Sequence, residues 1–303
     1  MTLKQLEAFY WAAKLGTFAI AAERLHVTQS SLSKRIAELE SDLGSALFDR
    51  SGKRASLTAA GEGLLEHARQ MLDLEVAIRA SLDDSRQQPR GVCRFGLSEL
   101  SATTWFPAFA GRLRDDYPDL TLEPQVGLGR PMERLVERGE LDFAVIAGTP
   151  GSAALASQPI AEVEFVWTSA PVRLKRGTLL TVEEFLDHPV ISFSTSESGL
   201  TAAFGSWVVA HDVRVRNVIS CNSLNAIVAL TTTGVGISFL PKQYIAPLVR
   251  RGLLVALRSD PPLPKVTYTA IWRRDDGRKL VGTMKKLVRD RVDFRKPNPL
   301  WDF

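Results

Sequence analysis

Only two cysteines occur among 303 residues, Cys93 and Cys221, far apart and in no C-x-x-C pattern. Their plain reading is two reduced thiols behaving as small hydrophobes. The four histidines, His26, His67, His188 and His211, never pair three or four residues apart, so no helical metal site is encoded. Long apolar runs are missing too: AIVAL at 226–230 is among the longest, far short of a membrane span. The opening residues, MTLKQLEAFYW, lack the charged, apolar, small-residue order of an export signal. The expectation is a cytoplasmic chain that does not enter a membrane.

Catalytic fingerprints are absent as well. There is no G-x-S-x-G elbow and no G-x-x-x-x-G-K-[ST] phosphate loop, and in GLGRPM at 127–132 Met132 stands where a dinucleotide fingerprint wants a small residue. The adjacent acids Asp83-Asp84, Asp115-Asp116 and Asp275-Asp276 point to different faces and suit solvated turns. No cofactor is called for. Basic charge gives no help where it is most wanted. Residues 1–90 hold 12 Lys+Arg against 12 Asp+Glu, residues 91–249 hold 12 against 16, and residues 250–303 hold 14 against 6. The excess lies in the last fifth, where Arg273, Arg274, Lys285, Lys286, Arg289 and Arg291 suit a solvated helix face.

What is present begins at the N-terminus. Thr2 and Gln5 form a capping box ahead of the stripe Leu3, Leu6, Phe9, Tyr10 and Ala13. Thr17 can cap a second helix, 18–25, whose alanines permit close packing; His26 and Val27 make a turn. Thr28 caps a third helix with a core stripe of Leu32, Ile36, Leu39 and Leu43. With that stripe inward, Gln29, Ser30, Ser33 and Lys34 fall on the outer, N-terminal surface, with Ser31 and Arg35 beside them. Gln suits adenine, Lys guanine, and the hydroxyls bases or phosphates in a major groove. FDRSGKRASLT follows, placing Arg50, Lys53 and Arg54 around Gly52 as a hairpin wing against phosphates.

From Thr58 a proline-free run extends to Pro89, with Leu64, Met71 and Ile78 every seven residues and His67 and Leu74 between them, a short seam for pairing two helices. A pair is useful because two reading helices address half-sites about one helical turn apart. QQPRG at 87–91 marks a boundary. Beyond it, strand-like runs at 93–97, 120–126, 142–146, 164–169, 190–193, 213–218, 236–240 and 266–272 alternate with helical text, which argues for α/β architecture. Ligands in such sheets bind beyond strand C-termini. The hydroxyls Ser98, Ser101, Thr103 and Thr104 after the first strand suggest an anion site. Facing candidates are Gly129, Gly148, Thr149, Thr201 and Asn222, with Phe239 as an apolar wall.

AAERLHVTQSSLSKRIAELESDLGSALFDR followed by LTAAG resembles the winged helix-turn-helix of LysR-type transcriptional regulators from residue 3 to residue 61, with Ser30 where proline and Lys34 where arginine are common. LVERGELDFAVIAG, DHPVISF and CNSLNAIVALTTTGVGISFLP followed by Lys242 are similar to motifs of that family's effector domain. The resemblance implies a winged helix-turn-helix over 1–58, a long dimerising linker helix over 59–89, and over 90–303 a two-lobed α/β effector domain of the periplasmic-binding-protein type. Lobe I would take 91–162 and 268–303, and lobe II 163–267. It further implies a homodimer, a tetramer as a dimer of dimers, double-stranded DNA with an interrupted palindromic operator as partner, and RNA polymerase as a candidate partner. The effector in the interlobe cleft would be an organic acid or a similar small metabolite. The alternative, a solute-binding or enzymatic α/β protein with an incidental DNA-reading pattern, leaves the N-terminal arrangement without a use.

Overall fold

A computed structural model describes residues 1–49, 56–82, 89–193, 199–215 and 217–301. The chain divides into two compact units, Met1–Gln87 and Gln88–Phe303. The first contains α1 (Leu3–Leu15), α2 (Phe18–Arg24), α3 (Gln29–Leu43), the antiparallel pair β1 (Phe48–Asp49) and β2 (Ser56–Leu57), and α4 (Ala59–Leu82). Each of the first three helices starts on a threonine whose hydroxyl accepts from a first-turn amide: Thr2 from Gln5, Thr17 from Ile20 and Thr28 from Ser31. Thr2 and Gln5 complete the reciprocal capping box.

Leu6, Phe9, Ala21, Leu32, Ile36, Leu39, Leu47, Phe48 and Ala68 form this unit's buried core. Leu43, expected in the α3 stripe, is 41% exposed instead. Its helix stops one residue later at Gly44, beyond the reach of the core. Among the described residues no helix is long and apolar enough to cross a membrane.

The second unit opens with β3 (Gly91–Leu97), α5 (Glu99–Thr103), α6 (Phe106–Asp116), β4 (Leu120–Val126), α7 (Gly129–Glu137), β5 (Phe143–Ala147) and β6 (Leu155–Val163). It continues through β7 (Phe165–Ser169), β8 (Leu179–Leu180), β9 (Val190–Phe193), α8 (Gly199–Ala210), β10 (Val218–Cys221), α9 (Leu224–Thr232), β11 (Ile237–Pro241), α10 (Lys242–Arg250) and β12 (Val255–Ser259). The last elements are β13 (Val266–Arg273) and α11 (Lys279–Arg291).

Two sheets define two lobes. Lobe I has the order β4-β3-β5-β13-β6, and lobe II the order β10-β9-β11-β7-β12-β8. The chain crosses from lobe I to lobe II between β6 and β7 and returns between β12 and β13, which inserts antiparallel beside β5 and β6. β3, β4 and β5 are parallel, so their C-terminal ends open on one side, where a ligand site is expected. The strand expected at 213–218 lies later, at Val218–Cys221. Val213 is buried but ends the turn after α8, and pairing with β9 starts only at Val218.

Candidate functional site

In the first unit, α3 presents Thr28, Gln29, Ser30 and Lys34 exposed, with Ser31, Ser33 and Arg35 half-buried. Leu32, Ile36 and Leu39 anchor its opposite face at zero exposure, so the polar face is fixed in orientation. No acidic residue occupies the first turn, and the positive end of the helix is left clear for a phosphate. Thr28 Oγ1 lies 3.0 Å from the Ser30 hydroxyl, so these two side chains are linked to each other as well as to the cap. Behind this face, Glu40 accepts from the amides of Leu47 at 2.8 Å and Phe48 at 3.2 Å, which fastens the base of the β1–β2 hairpin to α3. The expected wing residues Arg50, Lys53 and Arg54 lie outside the described residues.

Along α4, Leu64 and Leu65 pack on the core of the unit, whereas Met71, Leu74 and Ile78 are 41%, 60% and 52% exposed. Three apolar side chains spaced three and four apart make a seam facing outward on a helix. His67 is exposed rather than packed.

In the second unit a cavity of about 230 Å³ opens between the lobes. Of the expected effector contacts, Ser98, Gly129 and Asn222 line it. Gly148 sits beside the lining residue Ala147, with φ +86° and its amide donating to Thr267 O at 2.7 Å. Thr149 is exposed just beyond, outside the lining.

The hydroxyl cluster does not behave as expected. Ser98 caps its own short helix by accepting from the Ser101 amide, and the two serine hydroxyls lie 3.0 Å apart. Ser101 and Thr104 are buried beneath the cavity surface, and Thr104 donates to Leu100 O at 2.6 Å. Thr103 donates to Glu99 O at 2.8 Å. These hydroxyls all make hydrogen bonds in or around a helix of five residues, and Ser101, Thr103 and Thr104 do not line the cavity. Thr201 likewise donates to Phe193 O at 3.2 Å, and Phe239 is buried in lobe II, stacked 4.6 Å from Phe204. Neither lines the cavity.

Three features at the cavity were not read from the sequence. Tyr268, at zero exposure, is among the residues that line it, and its buried hydroxyl has no hydrogen-bond partner within bonding geometry, although Ser98 lies close. Burial, only partly offset by Ser98, pushes that phenol upward, so it stays a neutral donor. The first turn of α7 has no side-chain cap, which leaves the Gly129 end of the helix open to the cavity. Glu99 also lines the cavity, and among the described residues no lysine, arginine or histidine does. Its partners are on lobe II, more than 120 residues away in sequence, and no local pattern announces them.

The family model described as LysR substrate binding domain matches residues 86–293, and that described as bacterial regulatory helix-turn-helix protein, lysR family, matches residues 3–62. The chain belongs to the LysR family of transcriptional regulators. As a LysR regulator it binds DNA and answers to a small-molecule effector, and it is not an enzyme. Among its relatives, the uncharacterised HTH-type transcriptional regulator YeiE of Escherichia coli K12 is 30% identical over 274 residues, covering 90% of each chain. The probable RuBisCO transcriptional regulator of Nostoc is 30% identical over 261 residues, covering 84% of this chain and 77% of that one.

A full-length OxyR variant from Pseudomonas aeruginosa shares the fold at a TM-score of 0.71 and 23% identity, covering 96% of this LysR chain and 94% of the other. CbnR in complex with its target DNA does so at 0.66 and 21% identity, covering 96% and 100%. Both likenesses speak to the fold. Cys93 is fully buried, and burial drives its thiol far above the ordinary range, which leaves it a packing residue.

Proposed function

We propose that this LysR regulator reads an interrupted palindromic operator as a homodimer. One α3 would enter each of two successive major grooves, with Gln29, Ser30, Ser33 and Lys34 toward base edges. Thr28, Ser31, Arg35, Arg50, Lys53 and Arg54 would hold the phosphates. The observation that carries this reading is the polar N-terminal face of α3, held outward by three fully buried side chains on its other side. The outward seam Met71, Leu74 and Ile78 is the pairing surface, and tetramers form as pairs of such dimers. The regulator works where the chromosome is, in the cytoplasm, with RNA polymerase as a downstream partner.

The effector occupies the interlobe cavity as a small molecule with an acidic or acceptor-rich group. Its acceptor meets the Tyr268 hydroxyl, Ser98 and the uncapped start of α7. A preference for one lobe arrangement then shifts the dimer on DNA, by no more than the effector's differential affinity allows.

The test is a binding titration on an operator selected from genomic fragments and on random duplex, over a range of salt. Gln29→Ala and Ser33→Ala abolish the preference for the operator and keep salt-dependent binding to random duplex. Arg54→Ala weakens both alike. Equal losses on both duplexes for all three variants would refute the division of roles.

A further inference from the structure

We infer that the first turn of α9 is a carboxylate-binding site which the chain fills itself, with Glu99 of lobe I as the built-in ligand. Four donors from lobe II converge on this one carboxylate. They are the Ser223 hydroxyl at 3.1 Å, the Leu224 amide at 2.5 Å, the Asn225 amide at 3.2 Å and the Asn225 side-chain amide at 2.9 Å. Ser223 does double duty, since its oxygen also accepts from the Ala226 amide as the N-cap of α9. Consecutive amides at the start of a nine-residue helix, flanked by a hydroxyl and a carboxamide, make an arrangement that favours an anion. What sits in it is an anion, delivered from across the cleft.

The surroundings are built to hold this arrangement. The Asn225 carbonyl accepts from the Tyr244 hydroxyl at 3.1 Å, which orients the amide so that its nitrogen faces Glu99. Tyr244 in turn accepts from Asn298 at 3.1 Å, a side chain at zero exposure in the C-terminal segment, and its ring packs 4.4 Å from Trp301. Thr103, one turn after Glu99, has its hydroxyl 3.4 Å from the same tyrosine oxygen. The contact therefore ties the lobes by a connected set of groups.

Glu99 also lines the cavity, and this bears on the effector assigned above, on which the present step rests. With α9 already occupied, an acidic effector is directed to Tyr268 and the start of α7 instead. Glu99 thereby sets which end of the cleft takes the acid.

The experiment follows amide hydrogen exchange at Leu224 and Asn225 in the full chain, without DNA or effector. Wild type, Glu99→Ala and Glu99→Gln are compared in sodium chloride and in sodium acetate of equal ionic strength. Acetate stands in for the missing carboxylate at roughly 0.1 M, above the millimolar effective concentrations typical of short tethers. The expected result is exchange faster by about tenfold or more in Glu99→Ala, the loss of one charge-assisted hydrogen bond, with acetate restoring protection and chloride failing to.

Glu99→Gln keeps the size of the side chain and, with one acceptor oxygen in place of two, loses protection in the same direction. Unchanged exchange in both variants would overturn the inference. So would faster exchange that acetate restores no better than chloride, which would reduce Glu99 to an ordinary strap. Because neither DNA nor effector is present, failure here leaves the operator reading standing, and failure of the operator titration leaves this one standing.

Discussion

Replacing Arg278 with alanine strands two buried carboxylates in lobe I. The guanidinium donates to Asp142 at 2.7 Å and to Asp276 at 2.5 and 2.9 Å, and both aspartate side chains are only 2% exposed. Asp142 keeps the Arg94 amide at 2.7 Å, and Asp276 keeps the backbone amide of residue 278 at 3.1 Å and Arg273 at 3.9 Å, but none of these replaces the lost guanidinium. Removing one member of a buried ion pair costs about 3–5 kcal/mol, mostly as uncompensated charge. For a unit of this size, each kcal/mol lowers the melting temperature by roughly 2–4 °C, so a fall of roughly 6–20 °C is expected.

Acid separates this account from simple loss of packing. Burial pulls the Asp276 carboxyl upward, but the hydrogen bonds and charge of Arg278 outweigh it and leave the group below its ordinary value of 3.8. A depressed carboxyl gives stability that is present above its unfolded value and lost as pH falls through the folded one. Wild type therefore loses this contribution below pH 3.8, and the gap to Arg278→Ala narrows there. Calorimetry at neutral pH and along an acid series reads both effects. A cost under about 1 kcal/mol at pH 7, or a gap that stays constant into acid, would refute the reasoning.

At the cleft, a Cβ added at Gly199 would fall 2.0 Å from the Ala147 carbonyl oxygen, so Gly199→Ala must push the start of α8 away from the end of β5. Overpacking of this kind costs about 1–3 kcal/mol, and thermal melting together with faster backbone exchange in α8 should show it; unchanged exchange would mean the lobes part without cost. On α4, Leu74→Glu combined with Ile78→Glu should convert dimer to monomer in sedimentation. It should also weaken binding to a two-half-site operator by about a hundredfold or more while sparing a single half-site.

The first unit was legible because its signals are local. Thr2, Thr17 and Thr28 each sit one residue ahead of their helices, and Leu32, Ile36 and Leu39 repeat at helical spacing. Leu43 obeyed the same spacing and is exposed, because periodicity marks a face and does not say how far the core extends along it. β6 was missed because Pro159 interrupts it, and it survives as a strand because it is the edge of the lobe I sheet. α8 carries apolar residues on every side, so GLTAAFGSWVVA has no period to detect. In the cleft the residue types were readable but their partners were not. A hydroxyl near a helix start caps it or binds a ligand with equal ease, and only the fold shows that Thr103 and Thr104 turn back to their own carbonyls. Glu99 and α9 meet across a gap of 125 residues, a distance no window spans.

The placement of β13 bears on how the protein is made. Lobe I cannot close its sheet until Val266–Arg273 arrives to sit between β5 and β6, whereas the buried core of the first unit is drawn from Leu6 to Ala68. At ribosomal rates of about 5–20 residues per second, the stretch from 88 to 273 takes roughly 10 to 40 s to appear. During that interval each nascent chain carries a finished reading head and an unfinished sensor. A message broken before the codons for β13 would yield a product that has the residues of the first unit's core and lacks the strand that joins β5 to β6.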